Sequence, residues 1–192
     1  MANEIERRAF AMEVRIDTSA EMPPKMSGHA AMFDSLSEDL GGFRERIAGG
    51  AFAKTLQSAD IRALFNHDSN IVLGRNKAGT LRLREDLTGL AIEIDPPDTQ
   101  AARDLMVSMK RGDINQMSFG FRTIADKWAK LDGEWIRTLL EVDLFDVSPV
   151  TYPAYPATAV AVRGLQDAIK SASPPDENWR IDFMRRRLEL AI

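Results

Sequence analysis

The stretch Thr138-Leu139-Leu140-Glu141-Val142-Asp143-Leu144-Phe145-Asp146-Val147-Ser148-Pro149-Val150 is the part of the sequence on which the fold prediction depends. Along much of it apolar and polar residues alternate, which is the two-residue period of a half-buried strand. The pair Asp132-Gly133, which favours a tight hairpin turn, lies upstream and is preceded by a second strand pattern that begins at Trp128. These residues predict a long antiparallel hairpin.

Further strands are predicted wherever the same alternation returns. Helical spacing occurs over Gln100–Arg111, after a segment rich in Pro and Asp that ends a strand, and a shorter helix is expected over residues 51–58. Because strands outnumber helices, we predict an α+β fold, mainly an antiparallel β-barrel surrounded by a few helices, and not a parallel doubly wound sheet. The other expected strands cover residues 6–16, 28–33, 61–67, 80–84, 89–95 and 116–124, and residues 34–50 are expected to form a loop.

Composition excludes several classes of function. The 192 residues are 44% apolar, which suffices for one folded domain with a short appendage. A net charge of -4 and a pI near 5.3 lack the basic surface of most nucleic-acid-binding proteins, so no nucleic-acid partner is expected. The absence of cysteine excludes thiol nucleophiles and cysteine-bound zinc. No apolar run reaches the roughly 18 residues of a membrane span, and no signal core is visible, so we expect a cytosolic protein without a membrane partner.

The character of the sequence changes after Arg163. Ser171-Ala172-Ser173-Pro174-Pro175-Asp176 is typical of a flexible linker, and the residues from Trp179 onward have the spacing of a short amphipathic helix rich in arginine. We therefore predict a main domain over residues 1–163, a flexible linker over 164–178 and an amphipathic C-terminal helix or tail over 179–192.

A serine and a histidine stand out as candidate catalytic residues. A serine hydroxyl needs a neighbouring base, which is usually histidine, and the chain contains only His29 and His67. His67 follows an apolar row at the end of a predicted strand. Ser118 lies in a strand whose other face carries Met117, Phe119 and Phe121, and Gly120 next to it should leave open space for a substrate. The sequence therefore predicts Ser118 as nucleophile and His67 as base.

The third catalytic member is predicted to be Asp146. By simple alternation Asp146 shares a face with Val142 and Leu144, so its carboxylate should lie at the edge of the core and needs a partner such as an imidazole N–H. Glu141 and Asp143 fall on the other face, although the opposite orientation of the sheet would exchange these assignments.

A metal hydrolase is the alternative enzyme class. It would use His29, His67 and a nearby carboxylate such as Asp68, but the sequence has no compact pair of histidine ligands. We therefore predict no metal site and no cofactor.

Several short motifs resemble the prohead proteases of tailed bacteriophages and prophages. The similarity runs in order from about residue 8 to 162 and implies that His67 is the general base and Ser118 the nucleophile. It also implies a fold similar to the herpesvirus assembly proteases, in which helices surround a β-barrel. The motifs are Gly41-Gly42-Phe43-Arg44-Glu45-Arg46-Ile47 with Gly50-Ala51-Phe52, Asn66-His67-Asp68 with Leu73-Gly74-Arg75, Met117-Ser118-Phe119-Gly120-Phe121, and Asp146-Val147-Ser148-Pro149-Val150-Thr151 with Pro153-Ala154-Tyr155-Pro156.

The resemblance also implies a biological role. Members of this family cleave the scaffold protein or the scaffolding segment of the major capsid protein, commonly cleave themselves, and act inside the immature prohead in the host cytoplasm. The major capsid and scaffold proteins are thus the expected partners, and a homo-oligomer is left open. Two departures are visible: Asp146 stands where such sequences typically have Glu, and His29 lies too far upstream to match the second histidine of the herpesvirus enzymes, so we interpret it as structural. The alternative is a catalytically inactive capsid-assembly or scaffolding module with the same fold.

Overall fold

The computed structural model describes residues 5–11, 15–17, 24–152 and 159–172. This part of the chain forms a mixed α+β fold made mostly of strands, with few helices. The strands are β1 (Glu6–Ala11), β2 (Arg15–Asp17), β3 (Lys25–Met32), β4 (Phe43–Ile47), β5 (Arg62–Phe65), β6 (Asp68–Arg75), β7 (Leu81–Glu85), β8 (Gly89–Ile94), β9 (Gln116–Leu131) and β10 (Glu134–Val150). The helices are α1 (Thr55–Ser58), α2 (Gln100–Arg111) and α3 (Ala159–Ala172), and a 3-10 turn covers Asn76–Ala78.

The long hairpin predicted from the sequence is the centre of the larger sheet. Asp132 and Gly133 both have positive φ angles, 51° and 89°, which suit a two-residue turn that follows the natural twist of the strands. Strand β10 pairs with β9 along one edge and, along its other edge, first with β4 and then with β5, both parallel. The order is β1-β9-β10-β5-β6, with β4 beside β10.

A second sheet has the order β2-β3-β8-β7 and encloses the apolar core together with the first. Within the described ranges the only strand pairing between the two sheets is an isolated bridge between Phe33 and Ile47. The predicted barrel is therefore not closed. Alternation shows that each strand has one buried face, but two stacked sheets satisfy that pattern as well as a barrel does. The largest apolar side chains of the core include Met26, Phe52, Ile61, Leu73, Phe119 and Phe121.

Helix α2 has the bounds expected from its sequence. The Thr99 hydroxyl accepts a hydrogen bond from the Ala102 N–H at 3.3 Å, and Gly112 ends the helix with a φ angle of 82°. Its buried face packs Leu105 and Met109 against the core. No helix in the described part of the chain is both long and apolar enough to span a bilayer.

Helix α3 lies partly where the sequence predicted a linker. It continues through Ala172, and Leu165 packs with Leu40, Phe43 and Trp128 in a second apolar cluster. The flexible linker does not therefore begin at residue 164, because apolar side chains at helical spacing can bury themselves against this aromatic surface. The motif Pro153-Ala154-Tyr155-Pro156 and residues 173–192, with the predicted C-terminal helix, lie outside the described residues, so the division into domains stays a prediction.

A network of buried charges connects β1 and β4 to the hairpin. Glu6, Arg8, Glu45 and Arg137 are all 3% exposed or less. Arg137 Nη1 donates to Glu6 Oε2 at 2.8 Å and to Glu45 Oε2 at 2.9 Å, and Arg8 Nε donates to Glu45 Oε1 at 2.8 Å. Burial alone would raise the pKa of Glu6, but the hydrogen bond and charge of Arg137, with the charge of Arg8, outweigh it and hold that pKa below its ordinary value.

Candidate active site

His67 lies in a two-residue turn between β5 and β6. Asn66 and His67 form the two central residues and both have positive φ angles, 54° and 58°, a conformation that few residues other than Gly adopt and Asn tolerates best. The Asn66 side chain fastens this turn to the end of β10: Oδ1 accepts from the Thr151 N–H at 2.8 Å and Nδ2 donates to Thr151 Oγ1 at 3.2 Å. The Asn66 N–H also donates to the carbonyl of Pro149 at 3.0 Å. Three hydrogen bonds thus hold His67 in a conformation that would otherwise be strained.

Ser118 is held by a rigid part of β9. Met117, Phe119 and Phe121 point into the core, as the sequence predicted, and Ser118 therefore faces the opposite side of the sheet. It lies opposite Ser148 of β10 in the strand register and is fully buried.

A β-bulge decides the direction of Asp146. Leu144 pairs with Phe121, but Asp146 pairs with Gly120, so that Phe145 is an extra residue in β10. One extra residue reverses the alternation of side chains. The prediction that Asp146 shares a face with Val142 and Leu144 is therefore wrong: these two face the core, whereas Asp146 lies on the face of Ser118.

The structure brings the three predicted side chains into one row of hydrogen bonds. His67 Nε2 lies 2.7 Å from Ser118 Oγ, and His67 Nδ1 lies 2.5 Å from Asp146 Oδ1. Because a carboxylate only accepts hydrogen bonds, Nδ1 is the protonated nitrogen that donates to Asp146, and Nε2 is free to accept from the serine hydroxyl. The side chains of His67 and Asp146 are 6% and 12% exposed. This arrangement can deprotonate a serine as it attacks an electrophile.

Two contacts of Asp146, with Ser148 and with Gly120, were not predicted from the sequence. Ser148 Oγ donates to Asp146 Oδ1 at 2.7 Å, so the carboxylate is held from two sides. A Cβ atom at Gly120 would collide with Asp146 Oδ2. The sequence suggested that the space beside Gly120 is open to a substrate. In the structure this space holds the Asp146 carboxylate. The spacing of Asp146 and Ser148, two apart on one strand, was the signal for the first contact.

The alternative site residues lie in other interactions. Glu141 accepts from Lys54 Nζ at 2.6 Å, and Asp143 lies 3.8 Å from Arg122 Nη1. His29 belongs to the second sheet, where its Nε2 lies 2.8 Å from Asp86 Oδ2. This bond to His29, together with backbone N–H groups, lowers the pKa of Asp86 to about 2.

The residues of the metal alternative are not brought together. His29 and His67 are bonded to different carboxylates in different sheets, and Asp68 Oδ1 accepts from Asn70. Within residues 5–11, 15–17, 24–152 and 159–172, no three or more His, Asp or Glu side chains are grouped so as to hold a metal ion.

Comparison with known proteins gives three similarities. The sequence pattern of the family described as Caudovirus prohead serine protease matches residues 10–171. The prohead protease of Enterobacteria phage HK97 is 27% identical over 159 residues, which make up 81% of this chain and 66% of that protein, so the chain spans slightly less than two thirds of this relative's length. The solved structure of the capsid assembly protease of bacteriophage T4 is similar in fold, with a TM-score of 0.52 at 7% identity over 77% of this chain and 97% of the T4 chain.

Proposed function

The chain belongs to the Caudovirus prohead serine protease family, and from this premise we propose that it is a serine endopeptidase of phage capsid maturation. The observation that carries the proposal is the row of hydrogen bonds from Ser118 through His67 to Asp146, at 2.7 Å and 2.5 Å. A hydroxyl, an imidazole and a carboxylate in this order are the parts that acyl transfer requires.

Hydrolysis then proceeds through an acyl-enzyme. Ser118 Oγ attacks the carbonyl carbon of the scissile peptide bond while His67 Nε2 takes the hydroxyl proton. The same nitrogen returns the proton to the leaving amine as the C–N bond breaks, and a water molecule, deprotonated in turn by His67, releases the acyl group. Asp146 remains ionised and stabilises the imidazolium through Nδ1–H, and Ser148 holds the carboxylate in place.

The natural substrates are proposed from the family. Proteases of this family act on the scaffold protein or on the scaffolding segment of the major capsid protein, so we propose these proteins as the substrates and partners of this chain. Self-cleavage is a further proposed reaction. The proteolysis would take place inside the immature prohead in the host cytoplasm. The same proposal includes a fold similar to that of the herpesvirus assembly proteases. It also includes a homo-oligomeric state of the chain.

A fluorophosphonate probe tests the site directly. We expect the intact chain to gain one adduct, because the activated serine oxygen displaces fluoride from phosphorus, and peptide mapping should place that adduct on Ser118. Heat-denatured chain is the control, since the hydrogen-bonded row exists only in the folded state. Folded protein that stays unlabelled, or carries the adduct on another serine, would contradict the assignment and would favour the inactive capsid-assembly module.

The Asn66→Ala variant tests how His67 is held. We expect its rate of fluorophosphonate labelling to fall about 10- to 100-fold, because the turn loses the two side-chain bonds to Thr151 and the imidazole is displaced. Asn66→Gly is the matched variant, since it accepts the positive φ angle but makes neither bond. If Asn66→Gly labels as fast as the parent chain, the backbone conformation alone positions His67 and the two bonds have no role.

A further inference from the structure

Two buried side-chain atoms lack a hydrogen-bond partner in the part of the chain that the structure describes, and both flank Ser118. They are Gln116 Oε1 and Arg122 Nε. Residues 116, 118, 120 and 122 lie on one face of β9, because no extra residue interrupts this strand between Gln116 and Thr123. An acceptor on one side of Ser118 and a donor on the other are therefore unpaired on the face that carries the nucleophile. Buried polar atoms without partners in a native protein call for an explanation, and a ligand that completes them is one.

Arg122 is held in place without being neutralised. Its guanidinium lies over the ring of Phe145, the extra residue of the bulge, at 5.1 Å from the ring centre. Its nearest carboxylate is Asp143, at 3.8 Å from Nη1, a side chain that is itself 49% exposed. A guanidinium has five N–H donors in a planar fork that fits a carboxylate with two bonds. Arg122 is thus oriented by stacking but keeps donors for a further anion.

A second arginine lies on the same face. Arg7 of β1 pairs with Gly120 in the strand register and is exposed, and in the described ranges its side chain makes no hydrogen bond or ion pair. Diagonal neighbours on adjacent strands lie about 7–8 Å apart, which places Arg7 close to both Ser118 and Arg122. The carboxylate of Asp146, which pairs with Gly120 from the other side, already accepts from His67 and Ser148.

We propose that Arg122, with Arg7 beside it, binds an acidic side chain of the substrate and so selects the site of cleavage. The inference rests on the proposed peptidase function and adds a substrate class to it. Four residues along β9 correspond to about 13 Å, and an extended peptide advances at a similar rise per residue. The selected Asp or Glu therefore lies within about four residues of the scissile bond. Gln116, on the other side of Ser118, accepts a backbone N–H of the substrate and carries no preference for sequence.

The experiment is digestion of a mixed peptide library by the purified full chain, with cleavage sites read by mass spectrometry. For the parent chain we expect Asp and Glu to be enriched at one position within about four residues of the cut. Arg122→Gln should reduce this enrichment about tenfold, as expected for removal of one charged partner. Arg122→Glu should replace it by enrichment of Lys and Arg at the same position. Asp143→Asn, which frees Arg122 from its nearby carboxylate, should strengthen the selection of acidic residues.

Three control measurements separate this inference from the function on which it rests. Arg111→Gln removes an exposed arginine of α2 that is paired with Asp113, and it should leave the cleavage pattern unchanged. Gln116→Ala should slow cleavage of all sites alike and leave the acidic preference as it is. The rate at which a small uncharged fluorophosphonate labels the parent chain measures Ser118 and His67 alone, since that probe has no carboxylate for Arg122 to bind.

The outcomes are distinct. The role of Arg122 is overturned if the parent chain is labelled and cleaves without acidic enrichment, or if Arg122→Gln leaves the enrichment intact. The proposed peptidase function stands in both cases. A parent chain that neither labels nor cleaves overturns both proposals.

Discussion

The Ser118→Ala variant is expected to fold like the parent chain and to lose proteolysis by a factor of about 10⁴ to 10⁶. Removing the hydroxyl removes the only atom that His67 Nε2 activates, and no acyl-enzyme can form. The measurement is the conversion of co-expressed capsid and scaffold proteins to their processed lengths, followed on gels over time. Because Ser118 is buried and its hydroxyl bonds to one imidazole, the variant should melt within a few degrees of the parent chain.

Ser148→Ala is the matched control for this experiment. Ser148 lies opposite Ser118, is equally buried and bonds to Asp146, so its loss should slow cleavage by about tenfold without abolishing it. Undiminished processing by Ser118→Ala would remove Ser118 from the mechanism. Equal losses in both variants would show that the damage comes from disturbed packing on this face.

The candidate catalytic residues could be predicted because the chain offers so few choices. With two histidines and no cysteine, the base had to be His29 or His67, and a serine on a strand whose other face is anchored in the core was the favoured nucleophile. The resemblance to prohead proteases then indicated His67 and Ser118. Asp146 was chosen because a carboxylate at the edge of the core needs a partner such as an imidazole N–H, and it does lie beside His67. The argument about the face of β10 on which Asp146 lies did not hold. Alternation assumes one residue per pairing position, and the extra Phe145 reverses it at the point where the site forms.

The missed strands have a similar cause. β4 was expected to be loop because serines and glycines are frequent over residues 34–50, but its central charge, Glu45, is buried by Arg8 and Arg137, which lie far away in sequence. Single-sequence patterns treat a charge as exposed unless its partner is already known. The segment 6–16, predicted as one strand, in fact contributes β1 to one sheet and β2 to the other. Local periodicity does not show which sheet a strand joins.

The second large effect is expected for Arg137→Leu, which should lower the free energy of unfolding by about 3–5 kcal/mol. Arg137 is 1% exposed and bonds to Glu6, Glu45 and Asp126. Its loss leaves two buried carboxylates to share Arg8, and uncompensated buried charge costs more than the missing bonds themselves. The midpoint of urea unfolding, followed by tryptophan fluorescence, measures the change.

Removing the charge of Glu6 should recover part of this loss. We expect Glu6→Gln in the Arg137→Leu background to regain stability, although Glu6→Gln alone destabilises the parent chain.

Lowering the pH should also reduce the difference in stability between Arg137→Leu and the parent chain. In the parent chain the pKa of Glu6 is lowered, so its contribution to stability is present above the ordinary value of 4.5 and is lost as the pH falls through the folded value. Without Arg137, burial should raise this pKa, and protonation then favours the folded state. The difference in unfolding free energy between the two chains should therefore narrow as the pH falls. Above pH 4.5 it narrows because the folded variant takes up a proton on Glu6, and below pH 4.5 because the parent chain loses the contribution of its lowered pKa. A difference that stays constant from pH 7 to 4 would show that lost packing, not unpaired charge, destabilises the variant.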